Sequence, residues 1–294
     1  MTSLARVWLQ HLLPKKLLSR AVYRIARSER PWIKGPLIGW YAKTYRVDLS
    51  DAEYSDPRAY PTLNAFFTRG LKPQARPLAG DERTVVSPAD GILSEFGAIT
   101  GGELLQAKGR RYRLAELLRE DAAATAHFQG GSYLTVYLAP HNYHRVHLPV
   151  AASLTRTTYI PGERFGVSLE TAGAIDRLFC RNERAVCWFD TPVGALAVVL
   201  VGALNVSSIS TVSRGEIRSG PGQEWREPQP LHLPRGAEIA RFNLGSTVIV
   251  LFGRDAVRWH EHLCVGAPLR MGEALGRILG GTDSPKAQVS GTPR

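Results

Sequence analysis

The sequence predicts an α+β protein, a mostly antiparallel β-sheet body behind a small helical N-terminal region. Three observations predict it. From Val85 onward, short apolar runs recur between Gly, Pro and Asp signals, the texture of strands joined by turns. Residues 1–46 instead carry apolar and basic residues at helical spacing, punctuated by Pro14, Pro31 and Pro36. Charge divides the chain the same way. Of a formal net charge of +11, residues 1–46 hold ten Lys or Arg against the single acid Glu29, and the remainder is near neutral.

The N-terminal region reads as short helices broken at its three prolines. Lys16, Arg20, Arg24 and Arg27 repeat on one face, Leu18, Val22 and Ile25 on the other. Leu4, Val7, Trp8, Leu12 and Leu13 precede Pro14. A basic face backed by Leu and Trp suits a helix lying among anionic lipid headgroups. The same apolar face also suits packing on the chain's own domain. Residues 47–80 form a transitional stretch interrupted by Pro57, Pro61, Pro73 and Pro77, with Phe66 and Phe67 expected to plug it onto the body. The clearest strands are Tyr133–Ala139, Ala185–Phe189, Leu196–Val201, Ser208–Val212 and Val248–Phe252. Asp190 to Gly194 reads as the hairpin loop between the second and third. Leu114–Glu120 and Ser168–Leu178 read as short helices. The expected division is a helical region at 1–46, a body at 47–280 and a polar, disordered tail at 281–294.

Composition excludes several classes. Three cysteines, Cys180, Cys187 and Cys264, form no CxxC pair, which argues against a disulfide framework or a cysteine-rich zinc site. They read as reduced residues in a cytosolic setting. The longest apolar run, Ala195–Leu204, is about half the ~20 residues of a spanning helix. No secretory signal precedes it. A membrane partner would therefore be met peripherally, from the cytoplasmic side where anionic lipid attracts Lys and Arg.

The residues that carry chemistry begin with Gly245-Ser246, set just before the apolar strand Val248–Phe252. A serine after glycine at a strand start can attack the preceding carbonyl, turning amide into ester. β-Elimination then cuts the chain and leaves dehydroalanine, which hydrolyses to an N-terminal pyruvoyl ketone. Such a serine needs a base, and a base needs an orienting group. Two segments offer them, Ser87-Pro88-Ala89-Asp90-Gly91 and Tyr143-His144-Arg145-Val146-His147. Asp90-Gly91 also fits an ordinary hairpin turn, and His147 a hydrogen-bonded structural histidine. A serine hydrolase expects GxSxG, and the nearest string, Gly166-Val167-Ser168-Leu169-Glu170, lacks the last glycine. His141, His144 and His147 recur every third residue, but Pro140 and Pro149 leave little room for a helix presenting all three. No metal site is expected.

These segments, in this order, resemble the phosphatidylserine decarboxylase family of pyruvoyl-dependent proenzymes. The likeness extends through Asn64-Ala65-Phe66-Phe67-Thr68-Arg69, Tyr159-Ile160-Pro161-Gly162, Arg181-Asn182-Glu183-Arg184, Phe189-Asp190-Thr191 and Val201-Gly202-Ala203. The resemblance implies that 47–280 is a catalytic domain cut between Gly245 and Ser246 into a β chain, 1–245, and an α chain, 246–294. It implies a covalent pyruvoyl cofactor made from Ser246, which takes up the amine of phosphatidylserine as a Schiff base. It gives His147 the Ser246 proton, Asp90 the orientation of His147, and His144 the return of a proton after CO2 leaves. It also implies a homodimer, and 1–46 becomes a region that binds an anionic membrane rather than nucleic acid. A pyruvoyl decarboxylase of a soluble amino acid, or a basic binding protein without chemistry, are the competing expectations.

Overall fold

A computed structural model describes residues 15–120, 125–203, 208–243 and 246–280, with side chains from residue 21. Leu4 to Pro14, Gly245 and the 281–294 tail lie outside the described residues. The chain opens with helices α1 (Lys15–Ala26), α2 (Pro31–Tyr45) and α3 (Leu63–Phe67). Pro31 starts α2 at a position where its missing N–H is no loss, as the sequence leads one to expect. Pro36 does not break it. The helix runs on to Tyr45 because Ile38 and Tyr41 are buried on its inner face. The carbonyl one turn back from Pro36 belongs to Trp32, which is exposed and open to water.

Strands follow in chain order. The first are β1 (Thr84–Val86), β2 (Gly91–Ala98), β3 (Glu103–Ala107) and β4 (Arg110–Arg113), then helix α4 (Leu114–Leu118). Next come β5 (Ser132–Leu138), β6 (Arg145–His147) and β7 (Ala152–Ile160), then helices α5 (Leu169–Ala174) and α6 (Leu178–Arg181). The 168–178 stretch is thus two helices, parted at Arg177, whose φ of 49° is left-handed. The remainder is β8 (Arg184–Thr191), β9 (Gly194–Gly202), β10 (Ser208–Thr211), β11 (Gly215–Ile217), β12 (Gln223–Leu233) and β13 (Glu238–Asn243). It closes with β14 (Ser246–Phe252), β15 (Val257–Trp259), β16 (Pro268–Leu269) and β17 (Ala274–Ile278).

An eight-stranded antiparallel sheet, β12-β7-β8-β9-β14-β5-β2-β16, is the frame. Its central strands are apolar on both faces, so alternate residues feed two separate cores. From β14, Val248, Val250 and Phe252 enter one core, Ile249 and Leu251 the other. A second sheet, β11-β10-β13-β6, covers the first face and contributes Val146, Ile209 and Phe242. Leu114, Leu117 and Leu118 of α4, with Phe165 and Phe179, cover the other. β12 escaped the sequence reading because it is a polar, exposed edge strand that bulges between Arg226 and Leu231 around Pro228 and Pro230.

The N-terminal helices build a third, smaller core. Ala26, Ile38, Tyr41, Tyr60, Leu63, Phe66 and Phe67 pack together, with Val22 at the margin. Phe66 and Phe67 are fully buried, the plug the sequence suggests. Val22 and Ala26 therefore turn inward, whereas Ile25, Trp32 and Trp40 stand exposed.

Candidate active site

The end of the large sheet assembles the site. Ser246 opens β14 and pairs with Leu138 on one side and Gly202 on the other. Strand alternation gives it the face of Val248 and Val250, the face covered by the second sheet. Its residue is 1 % exposed and its Oγ has no hydrogen-bond partner among the described residues. A buried hydroxyl without a partner costs about 1–3 kcal/mol. A hydroxyl not spent on a structural hydrogen bond fits a serine that could be converted to another group.

Gly202 is held from the far side. Its N–H donates to the Glu183 carbonyl at 2.9 Å, and its carbonyl accepts from Asn182 Nδ2 at 2.9 Å. Asn182 also binds Phe165 through both its amide atoms, at 3.0 and 2.9 Å. Glu183 is buried and takes hydrogen bonds from Arg164, Tyr159 and Ser219. A Cβ on Gly162 would lie 2.4 Å from the Arg181 carbonyl, so only glycine lets that loop close on the 181–184 segment.

Asp90 precedes β2, whose Ile92 pairs with Tyr137 on β5. It is not a hairpin residue. A side chain at Gly91 would stand 2.4 Å from the Tyr137 carbonyl, which explains the glycine by close backbone approach. The Asp90 carboxylate lies on Arg76, at 2.9 Å from Nε and 2.6 Å from Nη2, and accepts the Met271 N–H at 2.8 Å. Burial opposes the Arg76 charge, but its bonds to Asp90 and Asp51 outweigh that and raise its pKa.

His147, on β6, follows Val146, which enters the core between the sheets, so the histidine takes the alternate direction. Its Nδ1 lies 2.8 Å from the Gly236 carbonyl and its Nε2 2.9 Å from the Tyr143 hydroxyl. A carbonyl only accepts, so Nδ1 carries the proton and the Nε2 lone pair takes the Tyr143 O–H. The orienting contact expected of Asp90 is made here by Gly236. Asp90 reaches His147 by charge, working against the burial that lowers the imidazole pKa. The Pro88 carbonyl also accepts the His147 N–H at 2.8 Å, tying the aspartate's segment to the histidine's.

His144 lies on the turn that leaves β5. It is fully buried, with Nδ1 2.8 Å from the Asn142 carbonyl and the Phe67 ring 3.9 Å from its own. Its Nε2 is buried and has no hydrogen-bond partner of good geometry among the described residues. The Leu138 carbonyl, on the residue paired with Ser246, lies close enough to this imidazole to favour a proton on it. Among the described residues no hydrogen bond joins either histidine to Ser246, or Asp90 to His147. Tyr143, Gly236, Arg76 and Arg69 complete these contacts, none of them given a role by the sequence reading. Among the described residues no group of His, Cys, Asp or Glu is placed to hold a metal.

Burial lowers the His144 pKa to about 3, with the charge of Arg69 adding to it. Because the unfolded chain takes up this proton first, stability is present above the unfolded pKa of about 6.5 and falls as pH drops below it. The loss from His144 should reach roughly 2 kcal/mol by pH 5. Urea unfolding at pH 7 and pH 5 should show it in the native chain, and His144→Phe should show a correspondingly smaller drop. Equal drops in both would assign the acid sensitivity elsewhere.

A polar cleft of 350 Å³ opens beside Asn243, just upstream of Ser246, between Arg27, α3 and the second sheet. Arg27, Asn64, Ser210 and Arg241 line it. Asn243 joins Asn64, Ser208 and Ser210 there by hydrogen bonds.

Two family models match the chain, one described as phosphatidylserine decarboxylase over residues 63–277 and one described as PSD over residues 5–46. The phosphatidylserine decarboxylase proenzyme of Azotobacter vinelandii is 48% identical over 274 residues, covering 91% of this chain and 96% of the relative. The protein of that name from Methylococcus capsulatus is 48% identical, covering 91% and 94%. The one from Pseudomonas aeruginosa is 48% identical, covering 90% and 94%.

Proposed function

Because the chain belongs to the phosphatidylserine decarboxylase family, we propose that it is made as a proenzyme, cuts itself between Gly245 and Ser246, and converts phosphatidylserine to phosphatidylethanolamine and CO2. The observation that carries the reading is Ser246 itself, a buried, unpartnered hydroxyl at the first residue of a buried strand. Attack of Oγ on the Gly245 carbonyl passes the hydroxyl proton to a base, and His147, neutral with its lone pair on Nε2, takes that part. Asp90 favours the resulting imidazolium through its charge. The pyruvoyl group left on Ser246 supplies an electron sink for the pair released with CO2. The two fragments stay together because β14 remains bonded between β5 and β9, both from the β chain. His144, beside Leu138, then carries a proton: its Nε2 lone pair takes one that the substrate ammonium gives up on binding and returns it to the substrate carbon after CO2 leaves.

The N-terminal region supports a lipid substrate over a soluble amino acid. Trp32, Trp40 and Ile25 are exposed, and Arg30 lies over the Trp32 ring at 5.8 Å, a pairing of apolar and basic side chains suited to an anionic headgroup layer on the cytoplasmic side. No described helix is long and apolar enough to cross a membrane. We keep 1–46 as the membrane-binding unit, 47–280 as the catalytic unit and a homodimer as the assembly. Deleting 1–46 would also strip Ile38 and Tyr41 from Phe66 and Phe67, and so disturb His144. Trp32→Ala with Trp40→Ala avoids this. The pair should weaken binding to anionic vesicles about tenfold or more while sparing turnover of soluble short-chain phosphatidylserine. Equal losses on both substrates would remove the anchoring role.

Intact mass of the denatured protein tests the central reading. Two fragments meeting at 245/246 are expected, the smaller lighter by one ammonia than a peptide beginning with Ser246. A single uncut chain in an active preparation would overturn it.

A further inference from the structure

We propose that Arg69 is a positioning residue for His144, locking the 139–144 turn so that the imidazole keeps its proton on Nδ1 and presents a bare Nε2. Arg69 follows α3 and is only 4 % exposed, yet makes no ion pair with a carboxylate among the described residues. A buried guanidinium without such a partner is expensive, and persists only where its hydrogen bonds are needed. Its Nη2 donates to the His141 carbonyl at 2.9 Å and to the Asn142 carbonyl at 3.3 Å.

The Asn142 carbonyl is therefore shared. It takes Arg69 from one side and His144 Nδ1, at 2.8 Å, from the other. An amide oxygen has lone pairs and no proton, so both partners must donate. That requirement places the proton on Nδ1, against the pull of the Leu138 carbonyl on an Nε2 proton. The turn cannot swing away to release it. Asn142 Oδ1 accepts the Ala139 N–H at 2.8 Å, and the Asn142 N–H returns to the Ala139 carbonyl at 2.9 Å. Phe67 closes the remaining side against the imidazole face. The Asn64–Arg69 segment thus supplies a donor to the carbonyl that binds this histidine and a wall to its ring. Arg69's positive charge, beside burial, also opposes a second proton on the ring.

Lysine at this position keeps the charge, but its ammonium rotates freely on a flexible stem, whereas the planar guanidinium aims the two N–H bonds of Nη2 at the two carbonyls in fixed directions. The proposal's link to turnover rests on the decarboxylase reading; its statement about the tautomer does not. Nitrogen-15 NMR of histidine-labelled protein, with His144 assigned by its loss in His144→Phe, reads the tautomer directly. The native chain should show His144 protonated on Nδ1 only. Arg69→Lys should mix in the Nε2-protonated form and lower kcat roughly tenfold to a hundredfold, with KM unchanged and cleavage at 245/246 retained. Native His144 protonated on Nε2, with or without any activity, would overturn the proposal without needing the variant to fold. So would an Arg69→Lys protein whose tautomer and kcat both stay native, or one that loses kcat while its tautomer does not move.

Discussion

Ser246→Ala should leave a single uncut chain of 294 residues with no measurable decarboxylation. Both outcomes follow from one atom. Without Oγ there is nothing to attack the Gly245 carbonyl, and without cleavage no ketone forms at residue 246. A structural reading of the same serine predicts something different, because a buried hydroxyl kept for the fold would be hydrogen-bonded, and alanine would cost stability. Here Oγ has no partner among the described residues. Its removal should leave stability unchanged or raise it by about 1 kcal/mol. The comparison must be made between uncut chains, so the suitable pair is His147→Ala alone against His147→Ala with Ser246→Ala. A loss of 2 kcal/mol or more in the double variant would mean that Ser246 holds the fold. An active Ser246→Ala protein would end the self-processing reading altogether.

How much of this was legible in the chain depended on whether the deciding contact was made by a side chain or by backbone. Val248–Phe252 and Leu196–Val201 were readable because strands buried on both faces are uninterrupted apolar runs. Ser246 was readable because its chemistry depends on its sequence neighbour. β12 was not, since an exposed edge strand has no apolar alternation to reveal it. Pro36 misled for a related reason: its cost is local, whereas the burial of Ile38 and Tyr41 that outweighs it is tertiary. The partner of His147 Nδ1 is the Gly236 carbonyl, a backbone atom that any residue could supply, so no pattern of types announces it. Arg76 is different. It is a side chain, but its pairing with Asp90 arises because the 47–80 stretch folds back to the start of β2, which periodicity does not encode. The Asn64–Arg69 and Arg181–Arg184 segments stood out as resemblances, and their roles emerged only with the carbonyls they serve.

The two histidines should separate under substitution. His147→Ala is expected to stop cleavage, leaving the uncut chain, whereas His144→Ala should still cut at 245/246 and decarboxylate at least a hundredfold more slowly. The geometry makes this a demanding test. His147 has its proton held on Nδ1 by Gly236 and its lone pair covered by the Tyr143 hydroxyl, so it is a base in the right form with an occupied acceptor. Cleavage therefore requires Tyr143 either to give way to Ser246 or to pass the proton along. Tyr143→Phe distinguishes these, since faster cleavage means the hydroxyl was a cover and slower cleavage means it was a relay. His144 presents the opposite case: no hydroxyl among the described residues covers its Nε2, which faces only the carbonyl of Leu138, the strand partner of Ser246. If His144→Ala stayed uncut while His147→Ala matured, the base would be His144, and the Asp90–His147 pair would be support for the fold. Mass spectra of both variants after identical incubation decide the matter. The division of labour holds only if the uncut protein is the His147 variant, because that outcome places proton removal and proton return on different residues of one short segment.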